Sequence, residues 1–441
     1  MMIRRSTQPA LLGGPPAVTV DEPEAAIWPQ VSREDEKAVV RVLRSGELSL
    51  HPETRRLEAD YRRLTGRRCA LAHCNGTAAL LAAFFALDLK PGDEVLVPSA
   101  TFWASVVPML WVGAVPVFCD VEDQRLGLDP EDVERKITSR SRALVVVHLF
   151  GLPARMRALR DVARRHGLKI IEDASHAHGA SWHGRPCGSL GDVSVFSLQS
   201  NKLAPAGEGG VLLTDRLSVM QRAVSLGDMM RAMRLDGPLA RLSGTTFGIK
   251  TRLAPLSAAL GRSQLKRLSE NNARRADNLE YLSSHLKRLG ITVFSAPRHA
   301  RRVYFAYVVR PRELTPGRKG RPPVDLALLV EALKAEGCRA SAIRYPMLHQ
   351  QPLFRQGIFR QIARLPQDVG PRDYAVRLPR TEAMSRELIQ LPAFHSASRT
   401  LLDQYAQAFE KVLDNADAVA GAGHEGSAAG SRRARAVGRR R

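Results

Sequence analysis

The stretch ALVVVHLFGLPARMRALRDVARRHGLKIIED, residues 143–173, decides the fold. It begins and ends in short apolar runs, ALVVVHLF and LKIIED. Between them Met156, Leu159, Val162 and Ala163 recur at helical spacing, and Gly167 supplies a stop. Strand, helix, strand at this length is a parallel crossover unit. Runs without alternation belong to strands covered on both faces.

The same alternation extends outward over residues 68–215. Upstream, CALAH (69–73) reads as a strand feeding a helix TAALLAAFFAL (77–87), and Pro91-Gly92 turns the chain into the strand EVLVPS. A helix through ASVVPMLWVGA and a strand VPVFCDV follow; downstream come the strands VSVFSLQ and GGVLLTD. Seven strands interleaved with helices predict an α/β fold, a mostly parallel sheet with helices on both faces. Pro255 starts a long helix running to Gly290, with Leu256, Leu260, Gln264 and Leu268 on one face. Beyond it, VYFAYVVR, DLALLVEALKAEG and a last helix around Leu401, Leu402, Tyr405, Phe409 and Val412 predict a smaller α+β domain. The expected division is an N-terminal segment 1–34, a large domain 35–272, a small domain 273–415 and a disordered Arg-rich tail 416–441.

Composition narrows the class. The five cysteines are scattered without metal-ligand or disulfide spacing, so no metal is expected and a reducing cytoplasm fits. The longest apolar stretch, from Ala78, is too short to span a bilayer, and the N-terminus lacks the pattern of a signal peptide. Of the net charge of +22, residues 421–441 carry six arginines against one glutamate, leaving +17 over the rest with no basic helix face in view. The tail reads as a solvated end, not a nucleic-acid arm, and a diffuse positive field suits an anionic substrate.

Three strand ends carry candidate chemistry, because parallel sheets place ligand sites at the carboxyl ends of their strands. In CNGTAAL (74–80), Gly76 and Thr77 open a helix whose free N–H groups suit a phosphate, although the residues alone also describe a plain capped helix start. In IIEDASHAHGA (170–180), Asp173 ends a buried strand and needs a cationic or hydrogen-bonding partner; capping the next turn is the other reading. In FSLQSNKLAPAGEGG (196–210), Lys202 sits in a polar loop, where a lysine is ordinarily a solvated ammonium.

These motifs, together with WPQVSREDEKAVVRVLRSGEL, PGDEVLVPSATFWAS, GAVPVFCDV, VVVHLFG and DQYAQAFEKVL, resemble in register the DegT/StrS family of sugar aminotransferases, of the aspartate aminotransferase (type I) fold. The resemblance implies pyridoxal 5'-phosphate as cofactor, Lys202 as its Schiff-base lysine and Asp173 as partner of its ring nitrogen. It makes Ser197, Gly76 and Thr77 the phosphate ligands and Phe102 the residue stacked on the ring. His176 stands where relatives often have glutamine, and is expected at the cofactor's phenolic oxygen or the substrate, or packed as a satisfied core histidine. Lys250 aligns with a phosphate-binding asparagine that relatives supply across a dimer interface, implying a homodimer with a shared active site. Arg344, Tyr345 and His349 in RYPMLHQQPLFR are candidates for the acceptor, with a capping or surface role equally open.

The implied reaction moves an amino group from glutamate or glutamine to a keto sugar, nucleotide-linked in the first instance, or a keto cyclitol. A branch making 3-amino-5-hydroxybenzoate shares FSLQ and the histidine after the aspartate. Sugar dehydration is disfavoured, since relatives doing that replace the lysine with histidine. A cofactor-binding regulator without turnover is the rival from another class.

Overall fold

The structure is a computed structural model describing residues 7–311, 324–343, 345–367, 369–372 and 374–421. Its centre is a seven-stranded sheet of β1 (Cys69–His73), β2 (Glu94–Pro98), β3 (Val115–Cys119), β4 (Ser141–Val147), β5 (Lys169–Asp173), β6 (Val193–Ser197) and β7 (Gly210–Thr214). Their order is β1-β7-β6-β5-β4-β2-β3, and only β7 runs against its neighbours. This is the predicted mostly parallel sheet. Period-two alternation divides each strand between two cores: Val145, Val147 and Ile171 face one, Leu144, Val146 and Ile170 the other. That two-sided burial is why the runs are continuously apolar.

Helix α1 (Arg33–Ser45) opens on a capping box between Ser32 and Asp35, and α2 (Glu53–Thr65) leads into β1. Helix α3 (Gly76–Ala86) follows β1, and α4 (Met156–Arg165) buries the predicted stripe of Met156, Leu159, Val162 and Ala163. Two expected helices differ. Residues 103–112 form two 3-10 turns, Trp103–Ser105 and Val107–Val112, because Val106 leaves helical geometry and Pro108 offers no N–H. The long helix from Pro255 breaks at Arg267 into α5 (Pro255–Lys266) and α6 (Leu268–Arg288). The buried face of α5 carries Ala258, Ala259, Gly261, Ser263 and Gln264, not Leu256 and Leu260. Small residues win there because the helix packs closely: a Cβ on Gly261 would lie 3.1 Å from Ala206 and from Leu198.

A second, antiparallel sheet of β8 (Thr292–Val293), β9 (Tyr307–Arg310), β10 (Ser341–Ala342) and β11 (Ile389–Leu391) lies in the order β8-β9-β11-β10. It shares a core with α6, α7 (Leu326–Ala335) and α8 (Arg399–Asp414). The N-terminal segment joins this core: Ala25 is buried in it, and Ala10 and Ala17 donate backbone N–H groups to Glu336. Residues 416–421, grouped with the tail by composition, are helical, with Val419 and Ala420 buried, since apolar residues continue to about Ala420 before the glycines begin. The rest of the tail, from residue 422, lies outside the described residues. No helix among the described residues is long and apolar enough to cross a membrane.

Candidate active site

The carboxyl ends of the strands open onto a cavity of about 690 Å³. After β1 come Asn75, Gly76 and Thr77; after β2, Phe102 and Ser105; after β5, Asp173 and His176; after β6, Ser197 and Lys202. Tyr345, three residues after β10, completes the lining. Eight of the eleven candidate residues therefore line one cavity: Gly76, Thr77, Phe102, Asp173, His176, Ser197, Lys202 and Tyr345.

One wall is built for an anion. The Asn75 side chain caps α3 by accepting from Ala78 N at 2.8 Å, leaving the first-turn N–H groups of Gly76 and Thr77 without helical acceptors. A Cβ on Gly76 would lie 2.8 Å from Ser197 Cβ, and one on Gly210 would lie 2.7 Å from Gly76 N, so the helix start is wedged against two strand ends. Only glycines bring the Ser197 hydroxyl this close to those donors. The donor set fits a phosphate group.

In the same lining, Asp173 Oδ2 accepts from Ser105 Oγ at 2.7 Å and Oδ1 from Ser175 N at 3.1 Å, which fixes the carboxylate plane. Ser105 is in turn 3.0 Å from Thr101 Oγ1. Lys202 is 8 % exposed. Its carbonyl accepts from Trp28 Nε1 at 2.9 Å and its Nζ stands 4.4 Å from the centroid of Phe305. Phe102 is 44 % exposed, so it is a cavity wall and not a core residue.

His176 is stacked in parallel on Phe305 at 3.8 Å, and its Nε2 lies 3.2 Å from the Tyr345 hydroxyl. Burial, then the charge of Lys202, then His178 hold it well below the ordinary histidine pKa, so it is neutral. His178, bonded to the Tyr61 hydroxyl at 3.0 Å, is pushed down to about 3 by burial and Lys202.

Three candidates are not among these eight. Lys250 is exposed and does not line this cavity. Arg344 lies outside the described residues. His349 is buried behind the wall: Nδ1 lies 2.6 Å from Ser99 Oγ and Nε2 lies 3.4 Å from Glu382, while Met347 pairs with Ala100. It buckles the segment carrying Tyr345 to the end of β2 and does not reach the cavity.

The sequence reading singled out none of Ser105, Trp28 and Phe305, although all three lie in stretches it quoted, because no motif spacing links them to Lys202. It also missed a basic helix face. Arg157, Arg160 and Arg164 of α4 line a cleft with Arg185 and Trp182, so part of the positive charge is concentrated there. Among the described residues one group has metal-ligand proximity: the buried His148, Glu172 and Cys187. There Glu172 Oε1 accepts from His148 Nε2 and Gly188 N, and Oε2 from Leu190 N and Gly191 N.

Comparison with known proteins agrees with this geometry. The chain is 34% identical over 435 residues to L-glutamine:scyllo-inosose aminotransferase of Streptomyces griseus, covering 92% of this chain and 97% of that one. It is 33% identical over 316 residues, 71% of this chain and 80% of the other, to UDP-N-acetyl-3-dehydro-alpha-D-glucosamine 3-aminotransferase of Acidithiobacillus ferrooxidans. Among solved structures, DesI in the presence of its TDP-sugar product superposes with a TM-score of 0.78 at 30% identity, over 95% of this chain and 99% of that one. With the family model matching residues 29–404, the chain belongs to the DegT/DnrJ/EryC1/StrS aminotransferase family and is an aminotransferase.

Proposed function

We propose that this aminotransferase holds pyridoxal 5'-phosphate in the 690 Å³ cavity and moves the amino group of L-glutamine to a keto cyclitol. One observation carries the reading: an amine, a carboxylate and a phosphate cradle, from three separate strand ends, converge on that cavity. When bound, the cofactor stores the amino group between the two halves of the reaction and accepts the electron pair left on the donor's α-carbon.

Gly76 N, Thr77 and Ser197 Oγ bind the phosphate, and Phe102 covers a ring face. Asp173, its plane fixed by Ser105 and Ser175, holds a proton at the ring nitrogen, since a buried carboxylate favours a cation beside it. Neutral His176 offers a ring nitrogen, not a second positive charge, beside the ring. Lys202 would hold the cofactor through Nζ, and its free amine would take up the donor's α-proton. Tyr345 faces the acceptor.

The cyclitol acceptor and glutamine donor are supported by the Streptomyces griseus relative, which matches nearly the whole chain. A nucleotide-linked keto sugar is the second reading, favoured by the similarity to DesI with its TDP-sugar product. Phe247 and Ile249, close to Lys250 in the chain, and Met229, Met230 and Met233 are exposed apolar side chains, which supports a homodimer in which Lys250 reaches the partner's phosphate site. Five free cysteines suit a cytoplasmic location.

Borohydride reduction followed by peptide mapping tests the cofactor assignment: the label is expected on Lys202, and a label elsewhere or none refutes it. Glutamine carrying a labelled α-nitrogen, offered with a panel of keto cyclitols and nucleotide keto sugars, identifies the acceptor by mass spectrometry. Transfer only to nucleotide sugars would select the second reading.

A further inference from the structure

The backbone of Lys202 is held from outside its own loop. Within the loop, Lys202 N donates to Gln199 O at 2.8 Å and Asn201 N to Gln199 Oε1 at 3.0 Å. The Lys202 carbonyl accepts from Trp28 Nε1 at 2.9 Å, and Trp28 lies 174 positions earlier in the chain. The chain on both sides of Trp28 is fastened in turn. Before it, the Ala25 carbonyl accepts from His395 N at 3.1 Å; after it, the Gln30 carbonyl accepts from Gln264 Nε2 of α5 at 3.0 Å. The indole itself carries the Arg275 guanidinium 3.8 Å from its ring centroid and lies 5.4 Å from the His395 ring.

Arg275, on α6, is 3 % exposed. Its Nε has no hydrogen-bond partner, and among the described residues no carboxylate pairs with it. Burial pushes its pKa down to about 9, which leaves it charged at neutral pH. A buried cation without an acid needs another source of attraction, and the face of an indole supplies it most strongly when both groups are desolvated. The stack restrains the plane of the ring and, with it, the direction of the N–H.

We propose that Trp28 is a positioning residue for Lys202: its N–H anchors the lysine's backbone, and Arg275 holds the indole that carries that N–H. The inference rests on the function proposed above. A lysine reaches its target on a flexible four-carbon stem, so an anchored carbonyl removes the loop's own freedom from the search that Nζ makes. Trp28 is not among the residues lining the cavity, so it acts through Lys202 and not on a substrate.

Trp28→Phe keeps an aromatic face for Arg275 and removes the N–H. In full-length protein stripped of cofactor, hydrogen exchange read by mass spectrometry over residues 198–206 reports opening of the loop, with β4 as the internal control. Losing one net hydrogen bond should speed exchange there roughly two- to tenfold and leave β4 unchanged. Arg275→Leu, which leaves Trp28 in place, should shift exchange over 198–206 in the same direction. In the loaded enzyme, Trp28→Phe should slow the half-reaction with glutamine by a similar two- to tenfold, with KM unchanged. Wild-type exchange over 198–206 in a folded Trp28→Phe protein overturns the proposal, as does a raised KM with kcat unchanged. If Trp28→Phe fails to fold, Trp28→Met is read by the same criteria. Borohydride trapping of the wild type keeps the two failures apart. A label absent from Lys202 sinks the proposed function, whereas a label on Lys202 with unmoved exchange sinks the Trp28 assignment alone.

Discussion

Replacing Gly76 with alanine isolates the phosphate cradle from the rest of the site. The added Cβ would lie 2.8 Å from Ser197 Cβ and 3.2 Å from its Cα, whereas ordinary contact begins at 3.4 Å. Something must move by about 0.6 Å. Ser197 cannot give easily, because it is the last residue of β6 and pairs with Gly210, itself pressed against Asn75. The start of α3 yields instead, drawing the Gly76 and Thr77 N–H groups away from the hydroxyl. Overpacking of this kind costs roughly 1–3 kcal/mol. Losing one charge-assisted bond to a phosphate costs a similar ~1.5–3 kcal/mol. Because that second cost falls on the bound state, Gly76→Ala should weaken cofactor binding by roughly ten- to a hundredfold. Titration of the stripped protein with pyridoxal phosphate, read by absorbance, measures this, with a thermal melt to confirm that the fold survives. Wild-type affinity in a folded Gly76→Ala protein would refute the cradle.

Other outcomes follow from the same geometry. Asp173→Asn should retain cofactor trapped on Lys202 yet lose at least about a hundredfold in kcat, since the amide cannot hold a cationic ring nitrogen; near-normal turnover would remove Asp173 from the mechanism. His349→Gln should lower stability by about 1–3 kcal/mol through the lost Ser99 contact while leaving the acceptor KM unchanged, and a selective rise in that KM would return His349 to the substrate site. Acid stability follows from buried His73 and His178, both pushed down to about 3, chiefly by burial. With folded values below the unfolded 6.5, each contributes stability above that pH and loses about 1.4 kcal/mol for each pH unit below it, until the folded value is reached. Denaturant melts should therefore steepen in pH dependence below about 6.5, and His178→Gln should flatten the slope; an unchanged slope would contradict the neutral assignment.

How much of this was legible depended on whether the signal was local. The seven strands and the α4 stripe were legible because burial on two faces writes a run, and burial on one face writes a helical period. Gly76, Asp173, Ser197 and Lys202 were singled out through the motifs that carry the family resemblance, and the strand ends bring them to one cavity. Phe305 and Trp28 come to Lys202 through tertiary packing, whereas Tyr345 was already a candidate from RYPMLHQQPLFR. Nothing in VYFAYVVR separates a phenylalanine that meets an amine from one that fills a core. The break at Arg267 was hidden for a different reason: helical period persists across it, and only packing against α1 and α2 turns the axis.

Glu172 and Asp173 show how closely scaffold and chemistry are joined. As neighbours on β5 they project to opposite faces. Asp173 enters the cavity, while Glu172 turns into the core beneath. There its two oxygens gather His148 and the N–H groups of Gly188, Leu190 and Gly191, and with four donors the carboxylate is fully engaged. Burial alone would raise its pKa, but His148 and those backbone donors hold it lowered. The loop so gathered leads into β6, which ends at Ser197, five residues before Lys202. A one-residue slip of β5 would put Ala174 in the cavity position in one direction or Ile171 at the clamp in the other, losing the cavity's aspartate in either case. Register in this one strand thus sets both the charge opposite the amine and the position of the amine itself.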